Sequence, residues 1–219
     1  IAIGGGVCLD VVGLAASMFR RRTPYIRVPT TSLSYVDASV GAKNGCNFAG
    51  SKNRLGTYVP PVAALLDSSF FLTQSTRDIS NSLGEMCKMG IMKSPELLEL
   101  LEHNGPRLIS SKFAPQSSDD AVPARVLQLS IQTMLEELTP NLWEDCLDRL
   151  VDFGHAVGQN LEMDALGSDQ ELMHGEAVAT DMAFMSVLSN VLGSLSDSDR
   201  DRILRILQTC GLPTYHSML

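Results

Sequence analysis

IAIGGGVCLDVVGLAASMFRR, residues Ile1–Arg21, reads as a strand, a glycine turn and a helix in immediate succession. Ile1–Ile3 has the apolar run of a buried strand, Gly4, Gly5 and Gly6 supply a tight turn, and Val7–Arg21 continues as an apolar helix rich in Val, Leu and Ala. Such a unit is a natural anion seat, because backbone N–H groups at a helix N-terminus point at a phosphate and glycine lets a ligand approach the backbone. Three glycines lack the full dinucleotide fingerprint, so on their own they fit a bare tight turn at least as well. Tyr25–Pro29 follows as a second strand with Thr30 and Thr31 at its end, which gives the N-terminal part an α/β character.

Further along, Asp67–Thr76 marks the passage from this α/β part to an all-helical part. Ser94-Pro95 is a cap followed by proline at the first helical position, Leu97, Leu98, Leu100 and Leu101 form an apolar stripe, and Asn104-Gly105-Pro106 is expected to stop that helix. Lys112–Pro123 is the best candidate for a loop. Val178, Met182, Met185, Leu188 and Leu192 recur at three- and four-residue steps as a core-facing stripe, so the methionines read as packing and not as ligands. Ser196 with Asp199 resembles a capping box, and Gly211 then Pro213 close the helix that follows.

The chain has 219 residues, 44% hydrophobic and 19% charged, which suffices for one good core or two small ones and is too apolar for disorder. A net charge of -8 argues against a nucleic-acid surface, which needs clustered Lys and Arg. The one basic cluster, Arg20-Arg21-Arg22, is either a solvated helix end or a local phosphate contact. Five cysteines without a short metal-binding or redox spacing read as reduced thiols in a cytoplasmic protein. No apolar run approaches the roughly 20 residues that span a bilayer. Because Ile1 opens directly inside a strand, the chain is expected to be a fragment of a longer polypeptide, exposing apolar surface when isolated.

Chemistry-bearing residues are sparse. Glu85 and Lys88 lie one helical turn apart, and His155 and His174 each sit beside glycine. A carboxylate and two imidazoles from three segments form a donor set for a divalent metal with positions left open for substrate, and a lysine beside it can bind phosphate or move protons. Taken singly, Glu85 and Lys88 fit a surface ion pair, Lys43 and Lys52 fit solvated loop charges, and either histidine fits a structural role.

Six stretches change that balance: IGGGVCLDVVGLAASMFRR (3–21), YIRVPTTSLSYVDASVGAKNGCNF (25–48), SKNRLGTYVPP (51–61), SLGEMCKMGI (82–91), DFGHAVG (152–158) and LMHGEAVATDM (172–182). Together and in this order they resemble the sugar phosphate cyclases, the superfamily that contains 3-dehydroquinate synthase. The resemblance implies a partial Rossmann-like nucleotide-binding domain over residues 1–72 and a helical metal- and substrate-binding domain over 73–219, truncated at both ends. It implies that Glu85, His155 and His174 bind zinc or cobalt and that Gly5, Gly6, Asp10, Thr30 and Thr31 contact NAD. It places Asp37, Lys43, Lys52, Asn53, Lys88 and Asp152 around the substrate. Arg21 would meet the substrate phosphate across a homodimer interface. The implied partner is a small sugar phosphate, with no nucleic acid and no membrane.

Departures from 3-dehydroquinate synthase point to another branch. Met134 stands about where that enzyme has lysine, Asp152 where it has asparagine, and Gln159 where a second histidine follows the first ligand. Fewer cationic partners favour a carboxylate-free substrate. MLEELTPNLWED (134–145) followed by RLVDFGH (149–155) resembles the cyclases that take sedoheptulose 7-phosphate to 2-epi-5-epi-valiolone or desmethyl-4-deoxygadusol, precursors of aminocyclitols and of gadusol or mycosporine compounds. Alternatives are a 3-dehydroquinate synthase, a metal-dependent polyol dehydrogenase and a degenerate homologue without turnover. Ala156-Val157-Gly158, Ser82-Leu83-Gly84, Arg22 and Asn44 also depart from the common pattern, and the step from His155 to His174 is longer than usual around Gly167-Ser168-Asp169.

Overall fold

Two short parallel strands organise the N-terminal part of the computed structural model, which describes all residues from Ile1 to Leu219. Strand β1 (Ala2–Gly4) pairs with β2 (Ile26–Pro29), and the helix α1 (Gly6–Met18) connects them across one face. A two-residue strand numbered β5 (Ala63–Ala64) adds to the other side of β2, giving the order β1-β2-β5. Between β2 and β5 lie a short helix α2 (Ser32–Val36) and an antiparallel hairpin of β3 (Lys43–Phe48) and β4 (Ser51–Tyr58).

The expectation that Ile1–Ile3 is a buried strand is corrected. Strand side chains alternate in direction, and β1 lies at the edge of its sheet, so only Ala2 points into the core; Ile1 and Ile3 are 79% and 61% exposed. The remaining contacts of this part depend on Arg27, which is wholly buried in β2. Its guanidinium donates to the carbonyls of Ala38, Gly41 and Lys43 and to Asn44 Oδ1, at 2.6 to 2.8 Å. These bonds satisfy both terminal nitrogens and leave only Nε without a partner, which makes the buried charge tolerable, and they tie the turn carrying Asp37 and Lys43 to the sheet.

Asn44 completes that network. Its Oδ1 also accepts from the Tyr25 hydroxyl at 2.8 Å, and its Nδ2 donates to the Val59 carbonyl at 2.8 Å. The Asn44 side chain presses so close to α1 that a Cβ on Gly13 would stand 1.7 Å from Oδ1. The unusual asparagine after Lys43 therefore has a packing role, matched by a glycine on the facing helix.

The helical part is built around α3 (Thr76–Met92), capped by Ser75 with Asp78 and buried continuously from Ile79 to Gly90. A helix buried on every face must be enclosed by others. It packs against α4 (Pro95–Ser111), α5 (Val122–Leu138), α7 (His174–Val191) and α8 (Asp197–Thr209); α6 (Gly158–Ala165) packs on α7. Leu83, Met86, Leu97, Leu101, Leu108, Val126, Met182 and Ile206 belong to the core they share.

Two helical expectations change. Asn104-Gly105-Pro106 does not stop α4, which runs through Pro106 to Ser111. Leu97, Leu101 and Leu108 stay on the buried face across the proline, so core packing outweighs its missing N–H, and Gly105 admits Cys210, whose Sγ would lie 2.9 Å from a Cβ there. The stripe on α7 is core-facing only in its first half: Val178 and Met182 are buried, whereas Leu188 and Leu192 are exposed. No helix is long and apolar enough to cross a membrane.

Candidate metal centre

Glycines bring the three donor segments together. In α3, a Cβ on Gly84 would stand 2.4 Å from the Gly175 carbonyl oxygen; in α7, one on Gly175 would stand 1.9 Å from the Asn81 carbonyl oxygen. Backbone touches backbone at this crossing, so Glu85 and His174, each one residue away, meet. Asn81 Oδ1 fixes the junction by accepting from Gly175 N at 2.7 Å, and Glu176, held by Arg77, accepts from Met173 N to cap α7. Of the departure Ser82-Leu83-Gly84, the glycine thus has a physical reason.

His155 arrives on a turn set by Gly154, whose φ of +81° is left-handed and whose Cβ would strike Val178. Buried Asp181 of α7 accepts from Val157 N and Gly158 N at 2.8 and 2.9 Å through one oxygen, holding the start of α6 and the loop behind His155. Glu85 is 1% exposed. Its Oε1 has no hydrogen-bond partner and lies 3.7 Å from His155 Nε2 and 3.4 Å from His174 Nε2, while Oε2 lies 2.5 Å from Lys88 Nζ. The donor atoms all fall within 4.8 Å of one another.

That spacing fits a metal. Ligands at about 2.0 to 2.2 Å in tetrahedral array stand about 3.3 to 3.6 Å apart, and one carboxylate with two imidazoles suits zinc or cobalt. A buried, unpartnered carboxylate oxygen facing two ring nitrogens is otherwise costly. Charges follow from these contacts: burial opposes ionisation of Glu85, yet Lys88 and the two histidines hold its carboxyl well below the usual range. Burial with the nearby Lys88 and His174 lowers His155 against the pull of Glu85. For His174 burial is outweighed by its hydrogen bond to Glu162 and the nearby Glu85 carboxylate, which raise it to about 9.

The other anticipated residues separate into groups. Lys88 and Lys52 adjoin the cluster, Lys52 Nζ standing 3.2 Å from His174 Nδ1. Asn53 follows Lys52 in β4 with a left-handed φ of +51°, its amide donating to Asn47. Lys43 lies at the far end of the hairpin, opposite Tyr58, and pairs with Glu144 at 2.5 Å. Asp152 is bound by Arg149, which also pairs with Glu144. Arg21 is exposed on the short 3-10 turn after α1, away from these contacts.

Gly5 and Gly6 begin α1 and line a cavity of about 670 Å³ with Val7, Thr31, Asn81 and Met173. Gly5 has no side chain to cap the helix, and a Cβ there would come within 3.3 Å of Thr31. Thr30 pairs its amide with the Gly4 carbonyl, and Thr31 caps α2. Asp10 does not line that cavity; it is half-buried near Arg27, Asp37 and Lys43, and burial, partly offset by Arg27, raises its carboxyl to about 6.

Sequence reasoning passed over three residues here. Glu162, on α6 just after the turn that carries His155, hydrogen-bonds His174 and Lys52. Arg149 and Glu144 tie Lys43 to Asp152. The available signal was an acid seven residues after a candidate donor histidine, on the short helix that follows it. Of the positions that depart from 3-dehydroquinate synthase, Met134 is buried in the helical core, whereas Gln159 is exposed.

An α/β unit with an open helix N-terminus, joined to a helical unit holding a metal-competent donor set, defines a two-part protein whose site lies at the junction. The chain belongs to the 3-dehydroquinate synthase family, matching its N-terminal family over residues 1–81 and its C-terminal family over 82–219. The resemblance to sugar phosphate cyclases is borne out. The chain is 49% identical to a 2-epi-5-epi-valiolone synthase of Actinomyces sp over 220 residues, covering 100% of this chain and 57% of the relative. It is 37% identical to the demethyl-4-deoxygadusol synthase of Trichormus variabilis, covering 100% of this chain and 53% of that protein. ValA, the 2-epi-5-epi-valiolone synthase of Streptomyces hygroscopicus solved with NAD+ and Zn2+ bound, matches with a TM-score of 0.94 at 45% identity, over 100% of this chain and 58% of that chain. The chain spans about half the length of the curated relatives it matches.

Proposed function

We propose that this chain carries the metal and substrate machinery of an NAD-dependent sugar phosphate cyclase, a lyase that converts sedoheptulose 7-phosphate to 2-epi-5-epi-valiolone or desmethyl-4-deoxygadusol with loss of phosphate. The observation that carries the reading is the convergence of Glu85, His155 and His174 beside buried Lys88. Support comes from the relatives, two of which are named for those products and one of which was solved with NAD+ and Zn2+. When bound, NAD supplies reversible hydride transfer at a substrate hydroxyl and zinc or cobalt supplies Lewis acidity at the same oxygen.

The chain's own residues do the rest. Glu85, His155 and His174 would hold the metal; Gly5, Gly6 and Thr31, with Asp10 and Thr30 behind them, would hold the dinucleotide at the start of α1, where backbone amides favour its phosphates. Lys88 Nζ holds a proton next to the reacting oxygen and offsets negative charge that develops there. Lys52 and Asn53 orient the sugar hydroxyls. Lys43 and Arg149 would exchange Glu144 for the substrate phosphate, together with Arg21 from a second subunit of a homodimer, while Asp152 keeps Arg149 in place and Asp37 lines the pocket beside them. The protein would work in the cytoplasm, in keeping with five free thiols.

Exposed Gln159 and acidic Asp152 leave few partners for a substrate carboxylate. The test is to incubate the whole polypeptide carrying this chain with NAD, zinc or cobalt and either sedoheptulose 7-phosphate or the carboxylated heptulosonate phosphate, following phosphate release and product mass. Turnover of the first alone is expected. Efficient turnover of the second would make the protein a 3-dehydroquinate synthase, and turnover of neither by metal-loaded protein would make it a non-catalytic homologue.

A further inference from the structure

We propose that Glu162 is a positioning residue that fixes both His174 and Lys52, so that one carboxylate sets the orientation of a metal ligand and of a substrate-binding lysine. Resting on the metal reading above, the inference adds a role for a side chain outside the donor set.

Geometry carries it. His174 turns Nε2 toward Glu85 Oε1 at 3.4 Å and Nδ1 toward Glu162 Oε2 at 2.8 Å. With a metal at Nε2, the ring proton must sit on Nδ1, where Glu162 accepts it. Lys52 Nζ lies 3.2 Å from the same Nδ1, and two N–H donors cannot satisfy one another. The shared acceptor resolves this, because Glu162 Oε2 also takes Lys52 Nζ at 2.6 Å. His155 is held differently: its Nδ1 faces the Phe153 carbonyl at 3.3 Å, a neutral acceptor from its own turn.

Glu162 is placed for this by the helix that bears it. Leu161 and Ala165 bury one side of α6, and Asp181 of α7 takes the Val157 and Gly158 amides. The carboxylate is thereby held between α7, which carries His174, and β4, which carries Lys52. It spans donors 12 and 110 residues away in the chain, and all three side chains are about one-fifth exposed. A solvated surface pair would not bring two donors from distant segments to one oxygen.

The test measures zinc affinity by chelator competition and the visible absorption of the cobalt form, for wild type, Glu162→Gln, Glu162→Ala and Lys52→Met, with circular dichroism as the control on folding. Glu162→Ala is expected to weaken metal binding by about ten- to hundredfold, the usual effect of removing a group behind a histidine ligand. Glu162→Gln keeps a neutral acceptor for Nδ1–H and should restore much of that affinity and the cobalt spectrum. In the whole polypeptide it should still raise KM for the sugar phosphate, because Lys52 loses its ion pair. Lys52→Met should leave metal affinity near wild type. Wild-type affinity in folded Glu162→Ala, or equal loss in the Gln and Ala variants, would overturn the proposal. Absence of zinc binding by wild type would instead defeat the metal reading on which it rests.

Discussion

The junction of α3, α6 and α7 and the base of the β3–β4 hairpin treat charge in opposite ways. At the junction, Glu85 turns an unpartnered, buried oxygen toward two imidazoles. At the hairpin base, Lys43, Arg149 and the Tyr58 hydroxyl all close on Glu144, so the chain satisfies these groups with its own carboxylate. The first arrangement is anchored where two long helices cross backbone to backbone, with His155 brought in on a turn, and it leaves a cation-sized demand for a guest. The second is built on a strand end and an irregular segment, and its charges find each other. A rigid scaffold can keep side chains unsatisfied for a ligand, whereas side chains on an irregular segment settle on the nearest opposite charge.

If that contrast holds, the largest effect belongs to the junction. His155→Ala should lower zinc affinity by more than about 100-fold, beyond what groups outside the donor set control, while circular dichroism stays that of folded protein. Full metal retention by the folded variant would remove His155 from the site. Gly175→Ala comes next, since its Cβ would meet the Asn81 carbonyl oxygen at 1.9 Å. Forcing α3 and α7 apart should cost about 1 to 3 kcal/mol in denaturant unfolding and weaken zinc binding with it.

The hairpin side should respond more gently. Asp10 has a folded-state pKa raised to about 6 from an ordinary 3.8, so the folded protein binds its proton more tightly than the unfolded chain. Its stabilising contribution is fully present below about pH 3.8 and is lost as pH rises through 6. Asp10→Asn should therefore raise Tm at neutral pH and leave it unchanged near pH 3.5; a loss of Tm at neutral pH would show the carboxylate to be favourably paired. Smallest of all, Lys43→Ala should change stability by less than about 1 kcal/mol, because its pair with Glu144 leaves the lysine 59% exposed, and should not alter zinc affinity.

How much of this could be read from the sequence follows the same division. The strand, glycine turn and helix of residues 1–29, the Ser94-Pro95 helix start and the Ser196 cap are local patterns, and they form as written. Glu85, His155 and His174 were legible through their surrounding motifs, not through spacing, since they lie on three separated segments. The edge position of β1 was not legible, because an apolar triplet looks the same whether a neighbour covers it or not. Pro106 misled because a proline's local cost is readable and the core packing of Leu101 and Leu108 that outweighs it is not. Glu162 was hidden for a related reason: in the string it is one acid among many on a short amphipathic helix, and only the fold puts His174 and Lys52 beside it.

The central claim is that Glu85, His155 and His174 form one metal centre. Crystals of the chain grown with zinc and measured at the zinc absorption edge test it directly. One anomalous peak per chain should lie within about 2.0 to 2.2 Å of Glu85 Oε1, His155 Nε2 and His174 Nε2 together. Zinc bound elsewhere, or none between these three side chains at saturating metal, would contradict it.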